Sequence, residues 1–406
     1  AAMAVIFGLV ACVTFLFLEP VISNRLYPEE EPEQVVFEEE SKENEILPED
    51  MIADDSQMQT EPTEPPVMVD EQIAQALSEM KLGAEDYLSL MNGLSSVAKE
   101  VQNSVVNVVG VTSDVSWLVN EYENEGVVSG VVVADNGREL LVLANISTIL
   151  DAESLKVIFA DENEYEASIK RMDHNTGYAV LAISKDTMKS GTLSMAKAVS
   201  LGTSGGSSLV GVSVIAIGRP MGTDGSMCYG MITSVSGNVE LPDSSYKYMT
   251  TDIYGSSSAS GILINLRGQV LGMIDMTYNA PDMKNIISAI GISDLKKVME
   301  SLSNDKDIAY FGVYGVDVTG EANEEMQVPY GAYITEIDMD SPAMTAGIQS
   351  GDVIVMIDET EITNYQDLVK TLFFYEPEDE VKITFMRQGP DGYTEMETDA
   401  VLGIKK

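Results

Sequence analysis

Histidine occurs once in the 406 residues, at His174, and cysteine twice, at Cys12 and Cys228. One histidine excludes a histidine-rich metal site and leaves a single imidazole for general-base work. Two cysteines, one inside an apolar run, exclude a disulfide-stapled secreted module. Basic residues are scarce: 23 Lys and Arg stand against 66 Asp and Glu, a formal charge of −43. That balance argues against nucleic-acid binding, which needs clustered cations facing phosphates. Nothing in the sequence calls for a cofactor or a metal. What the chain does have is 45% hydrophobic residues and 32 glycines, in a length that suits two or three domains.

Ala1–Leu18 carries no charge and is close to the minimum length for a membrane-spanning helix. Leu9–Cys12 resembles a bacterial lipobox, but apolar residues continue after Cys12, and no small-x-small cleavage site follows the run. The expectation is a single-pass anchor over residues 1–22, with the folded part on the extracytoplasmic side of the cell membrane. Residues 23–72 are acidic and Pro-containing, with Lys42 the lone basic residue from Pro28 to Gln72. Such a stretch repels itself and reads as a disordered spacer. Residues 73–94 space Ile73, Leu77 and Met80, then Tyr87, Leu90 and Met91, as two short amphipathic helical pieces broken near Gly83.

From Ser95 the pattern turns to strands. Val105–Val111, Val127–Ala134, Glu139–Leu143, Leu155–Phe159 and Tyr178–Ile183 form one set. Val210–Ile217, Cys228–Val235, Met249–Asp252, Gly261–Ile264 and Gln269–Asp275 form a second, and a helix is expected over Leu295–Leu302. Two all-β units of about a hundred residues each are expected across 95–303. Within them, Gly255–Ser260 is a run of six small residues before a short apolar strand. A loop so poor in side chains suits close approach of backbone N–H groups to a ligand.

The stretch Thr251–Gly272, TDIYGSSSASGILINLRGQVLG, resembles the nucleophile region of the HtrA family of trypsin-like serine proteases, where TD is followed by GNSGGPL and N-L-G-x-V-I-G. Ser129-Gly130-Val131, Ala160–Ile183 and Ile215–Pro220 resemble further family blocks in the same order. The resemblance implies a double β-barrel and assigns the catalytic positions. Ser257-Ser258-Ala259-Ser260-Gly261 takes the place of GNSGG, so the nucleophile position is Ala259. The histidine position of the T-N-x-H-V block is Ser147, and the carboxylate position of the D-L-A-V block is Gly177. Serine-protease chemistry needs a hydroxyl, an imidazole and an orienting carboxylate, and all three are substituted. The resemblance therefore implies a catalytically degenerate member, a pseudoprotease, with Ser257, Ser258 and Ala259 as the remnant of the oxyanion loop. A rewired dyad of Ser258 or Ser260 with Lys170 or Lys247, and an active endopeptidase, stay open as alternatives.

Residues 305–402 resemble a PDZ domain. Ser341-Pro342-Ala343, Ala346-Gly347-Ile348 and Gly351-Asp352-Val353-Ile354 lie close to the S-P-A-x-x-A-G-L-x-x-G-D-x-I signature of bacterial PDZ modules. Ser341 suits a helix N-cap with Pro342 in the first turn. Tyr310-Phe311-Gly312-Val313 matches the loop that receives a peptide's C-terminal carboxylate in such domains. The partners the resemblance implies are protein or peptide C-termini, the membrane and further copies of the chain, as a trimer. A role as scaffold, sensor or holdase is expected, with a barrel serving only oligomerisation as a further reading.

Overall fold

The computed structural model describes residues 32–38, 83–111 and 126–405. The first long element is helix α1 (Ala84–Gln102). Its N-terminus is tied by the Asp86 carboxylate, which accepts the Gly83 N–H at 2.8 Å. Only the C-terminal half is packed: Ala98 is fully buried, whereas Tyr87, Leu88 and Leu90 are exposed. The expected break near Gly83 coincides with the start of α1, and the helix continues eight residues past Leu94. The spacing of Leu94, Val97, Ala98 and Val101 carries it onto the barrels. Ile73, Leu77 and Met80 lie outside the described residues, as does the expected anchor over 1–22. Among the described residues no helix is long and apolar enough to cross a membrane.

The first barrel contains β1 (Val105–Val111), β2 (Val127–Asp135), β3 (Glu139–Asn145), β4 (Ser154–Ile158), β5 (Glu164–Met172) and β6 (Tyr178–Ser184). Its closed strand order is β1-β2-β3-β6-β5-β4, every pairing antiparallel. Strands β3 and β6 read LLVLA and YAVLAI and are buried on both faces, against the alternation of a half-exposed strand. The short helix α2 (Ser190–Met195) follows. The second barrel contains β7 (Ser213–Arg219), β8 (Ser226–Leu241), β9 (Ser244–Tyr254), β10 (Ser260–Ile264), β11 (Val270–Ile274) and β12 (Ile286–Gly291), closed in the order β10-β11-β12-β9-β8-β7. Helix α3 (Ile292–Ser303) then packs Leu295, Val298, Met299 and Leu302 into the core shared by the barrels. Each such aliphatic side chain contributes about 1.5–3 kcal/mol when fully buried.

The last unit is a six-stranded sheet whose main path runs β14-β15-β16-β18-β19, from β14 (Val313–Asp317), β15 (Ala332–Ile337), β16 (Val353–Ile357), β18 (Glu380–Gly389) and β19 (Gly392–Val401). The short β17 (Thr360–Glu361) pairs with β16, and β13 (Ala309–Tyr310) pairs with β20 (Gly403–Ile404). Helices α4 (Gly320–Met326), α5 (Pro342–Thr345) and α6 (Tyr365–Leu372) complete it. Ser341 caps α5, its hydroxyl accepting the Met344 N–H. The signature Asp352 is buried in a two-bond pair with Arg387, each bond 2.7 Å long.

Two expectations need correction. The acidic segment is not uniformly a free spacer: residues 32–38 lie on the barrels. Val35 exchanges two hydrogen bonds with the Asn304 side chain, at 2.8 and 2.7 Å, and Glu33 donates its N–H to the Asn136 carbonyl. Val35 is buried, Phe37 packs against the core and Val36 between them faces water. That is the period-two alternation of an extended segment with one buried face. The second correction concerns strands left out of the expected sets. Glu164–Met172, EYEASIKRM, is too charged to read as a strand, yet it closes the first barrel between β4 and β6.

Candidate functional site: the inter-barrel seam and the PDZ groove

The three positions that the resemblance assigns to a triad, Ser147, Gly177 and Ala259, lie along the seam between the barrels. The Ser129 N–H of β2 donates to Ser260 Oγ at the start of β10, 3.0 Å away. Asn145 Nδ2, at the end of β3, donates to Asp275 Oδ2 just past β11 at 3.2 Å. These two bonds fix Ala259, beside Ser260, and Ser147, two residues after Asn145, on opposite sides of one junction.

Ser147 opens a single 3₁₀ turn, Ser147–Ile149, and its side chain is already engaged. Its Oγ donates to Asn145 Oδ1 at 2.7 Å and its N–H donates to the same atom at 3.1 Å. Gly177 sits directly beside it. A Cβ built on Gly177 would lie 1.8 Å from Ser147 Oγ and 2.8 Å from Asn145 Oδ1, and its φ of +77° is a conformation that L side chains rarely adopt. So the base and orienter positions are adjacent in space, but the volume of an orienting carboxylate is filled by the Ser147–Asn145 pair.

Ala259 is buried, with a methyl group where a nucleophilic oxygen would be. Its N–H donates to the Ser256 carbonyl at 3.1 Å, and the Ser258 N–H donates to Ser256 Oγ at 3.2 Å. Oxyanion binding needs N–H groups aimed at the ligand, and two in this loop are turned inward. Ser257 and Ser258 are exposed, with Ser258 Oγ 3.0 Å from Ser256 Oγ. The lysines of the conceivable dyad are engaged elsewhere: Lys170 Nζ lies 2.9 Å from Glu139 Oε2, and Lys247 Nζ donates to the Gly205 carbonyl. His174 is exposed on the turn between β5 and β6.

At the other site Phe311 and Val313 are buried in the PDZ core, while Tyr310 Oη donates to Asp338 Oδ2 at 2.5 Å. Gly312 has a φ of +88°, and a Cβ there would lie 2.3 Å from Ser341 Cβ, so the loop requires glycine. The N–H groups of Phe311, Gly312 and Val313 converge on one carboxylate, that of Asp243 in the turn between β8 and β9. Phe311 and Gly312 donate to Asp243 Oδ2 at 2.7 and 2.8 Å, and Val313 donates to Oδ1 at 3.1 Å. The Asp243 N–H in turn donates to the Val313 carbonyl at 2.8 Å. The Tyr365 hydroxyl of α6 donates to that carbonyl as well, at 2.8 Å.

Asp243 is only 4% exposed. Burial pushes its carboxyl above the ordinary Asp value, against the lowering pull of the three N–H donors and of Lys405. Lys405, also buried, donates to Ser244 Oγ at 2.6 Å and lies 3.8 Å from Asp173 on the first barrel. Gln366 of α6 donates to the Ser245 carbonyl at 3.0 Å. Sequence reasoning expected a carboxylate loop at Tyr310–Val313 and did not anticipate Asp243, because Leu241-Pro242-Asp243-Ser244 reads as an ordinary turn.

A trypsin-like peptidase domain model matches residues 128–273, and a PDZ domain model matches residues 311–398. The chain is 26% identical over 335 residues to "Serine protease Do-like HtrA" of Lactococcus lactis subsp. cremoris, covering 73% of this chain and 80% of the relative. It is 27% identical over 274 residues to "Probable periplasmic serine endoprotease DegP-like" of Halomonas elongata, covering 66% of this chain and 55% of that relative's length. Among solved structures, "HtrA-type protease AlgW with decapeptide" aligns with a TM-score of 0.54 at 22% identity, covering 77% of this chain and 98% of that one, a likeness of fold. With a trypsin-like peptidase domain followed by a PDZ domain, the chain is similar in domain order and sequence to the HtrA-type proteases.

Proposed function

We infer that this HtrA-like protein binds peptide or unfolded-protein C-termini through its PDZ domain and does not itself hydrolyse them. The observation that carries the reading is the occupancy of the triad positions. Ala259 has no oxygen to attack with, Ser147 cannot take a proton near neutral pH, and Ser147 itself fills the space beside Gly177. Support for peptide binding comes from the PDZ match, from a loop with three N–H groups turned to a carboxylate, and from a fold relative that carries a decapeptide. The apolar Ala1–Leu18 run supports anchorage in the cell membrane with the domains outside, as a scaffold, sensor or holdase, and the family resemblance supports a trimer.

The competing reading is an active serine endopeptidase, favoured by the names of the relatives and by the Ser256–Ser258 hydroxyl pair. Incubating the full chain with unfolded casein and with a fluorophosphonate probe separates the two. Neither cleavage nor labelling is expected; labelling at Ser257, Ser258 or Ser260 overturns the pseudoprotease reading.

A further inference from the structure

We propose that the PDZ groove carries an internal ligand: the β8–β9 turn of the second barrel occupies it, with the Asp243 side chain standing in for a peptide's C-terminal carboxylate. This rests on the reading of the groove as a C-terminus binder and names what regulates it.

A peptide captured in this mode would present two features to the loop. Its carboxylate would collect the N–H groups, and its terminal backbone N–H would begin a strand pairing with β14. Asp243 supplies both from one residue, its carboxylate taking Phe311, Gly312 and Val313 and its N–H reaching the Val313 carbonyl. The opposite edge of β14 is already paired with β15, so the edge that the turn uses is the one left for an added strand. The mimicry depends on backbone geometry. Asp243 has a φ of +52°, a left-handed conformation that Asp tolerates better than most residues and that lets side chain and N–H face the same strand.

The contacts around the turn extend from the loop to α6 and to Lys405, just past β20. Gln366 holds the Ser245 carbonyl, Tyr365 shares the Val313 carbonyl, and Lys405 places a buried cation by Ser244. An external peptide must therefore displace a ligand held at high effective concentration. Its apparent affinity falls by the fraction of molecules whose groove is open. Displacement also frees the β8–β9 hairpin, whose strands lie in the barrel that carries Ala259, so binding at one end of the molecule is mechanically linked to the other.

The test uses the full chain with two variants. Asp243→Gly removes the carboxylate and suits the positive φ; Asp243→Asn keeps the shape and loses the charge. A fluorescent peptide ending in an apolar residue, as free acid and as C-terminal amide, is titrated by anisotropy. Hydrogen exchange at Phe311, Gly312 and Val313 is followed without peptide. Asp243→Gly is expected to bind the free acid at least tenfold more tightly than the parent, with Asp243→Asn between them. Protection of the three amides should fall in both variants. Equal and tight binding by parent and variants leaves the C-terminus reading intact and overturns the internal ligand. Amides that stay protected in Asp243→Gly overturn it too. If no protein binds peptide while the parent's protection is lost in the variants, the internal ligand stands and the C-terminus reading fails.

Discussion

The seam between the barrels and the groove of the PDZ domain use the same kinds of atoms in opposite ways. At the seam, groups that chemistry would need are missing or turned inward: a methyl at Ala259, no side chain at Gly177, and the Ser147 hydroxyl spent on Asn145. In the groove the receiving groups are all present and all in use, held by a carboxylate from the neighbouring domain. The difference teaches that a PDZ loop can keep its N–H groups converged on a carboxylate while the seam beside it carries none of the three triad side chains. The PDZ loop has a glycine at the one position where a side chain would be strained, and three converging N–H groups.

The comparison is open to attack at four strengths. The largest effect is expected from Lys405→Met, which leaves Asp173 and Asp243 buried near a missing cation. Breaking such a pair costs about 3–5 kcal/mol, read in a urea titration, and a loss under about 1 kcal/mol would mean the junction is wetter than described. Next is Gly177→Ala, strained by its φ and by overlap with Ser147 Oγ. It should cost about 2 kcal/mol; a neutral result would show that the seam can reopen to receive an orienting side chain. Arg171→Ala removes exposed ion pairs with Asp305 and Asp307 in the connection to the PDZ domain. It should change stability by about 0–1 kcal/mol, and a larger loss would make these surface charges part of the clamp. The smallest effect is none at all: Ala259→Ser should leave casein hydrolysis at background, since the new hydroxyl has no imidazole beside it. Turnover by that single variant would erase the contrast between the two sites.

Much of this was legible in the chain, for reasons that differ by region. Strands such as Val105–Val111 and Val353–Ile357 could be read because burial on the sheet demands Val and Ile in short runs. β5 could not, since its charged residues suit a mostly solvated face while its pairing is fixed by the barrel's closure. The assignment of Ser147, Gly177 and Ala259 to a triad rests on motif order, whereas the left-handed turn at Gly177 and the Ser147–Asn145 bond depend on tertiary contacts that no motif encodes. Asp243 left no local signal, because a turn aspartate and a buried ligand share one letter. For residues 32–38 a signal was present and overruled: Val35 and Phe37 alternate across Val36 inside the acidic run.

That docked segment resets a length. If Ala1–Leu18 spans a membrane as proposed, an unattached spacer from residue 23 to residue 72 would let the domains range as far as roughly 170 Å at full extension. With Glu33 and Val35 fastened to Asn136 and Asn304, only about ten residues separate the bilayer from the body, a leash of roughly 35 Å. On that reading the body works as a near-surface device. Replacing Val35 and Phe37 with serine should raise the domains' height above a supported bilayer, measured by energy transfer to a lipid dye; an unchanged height would show that the leash was never short.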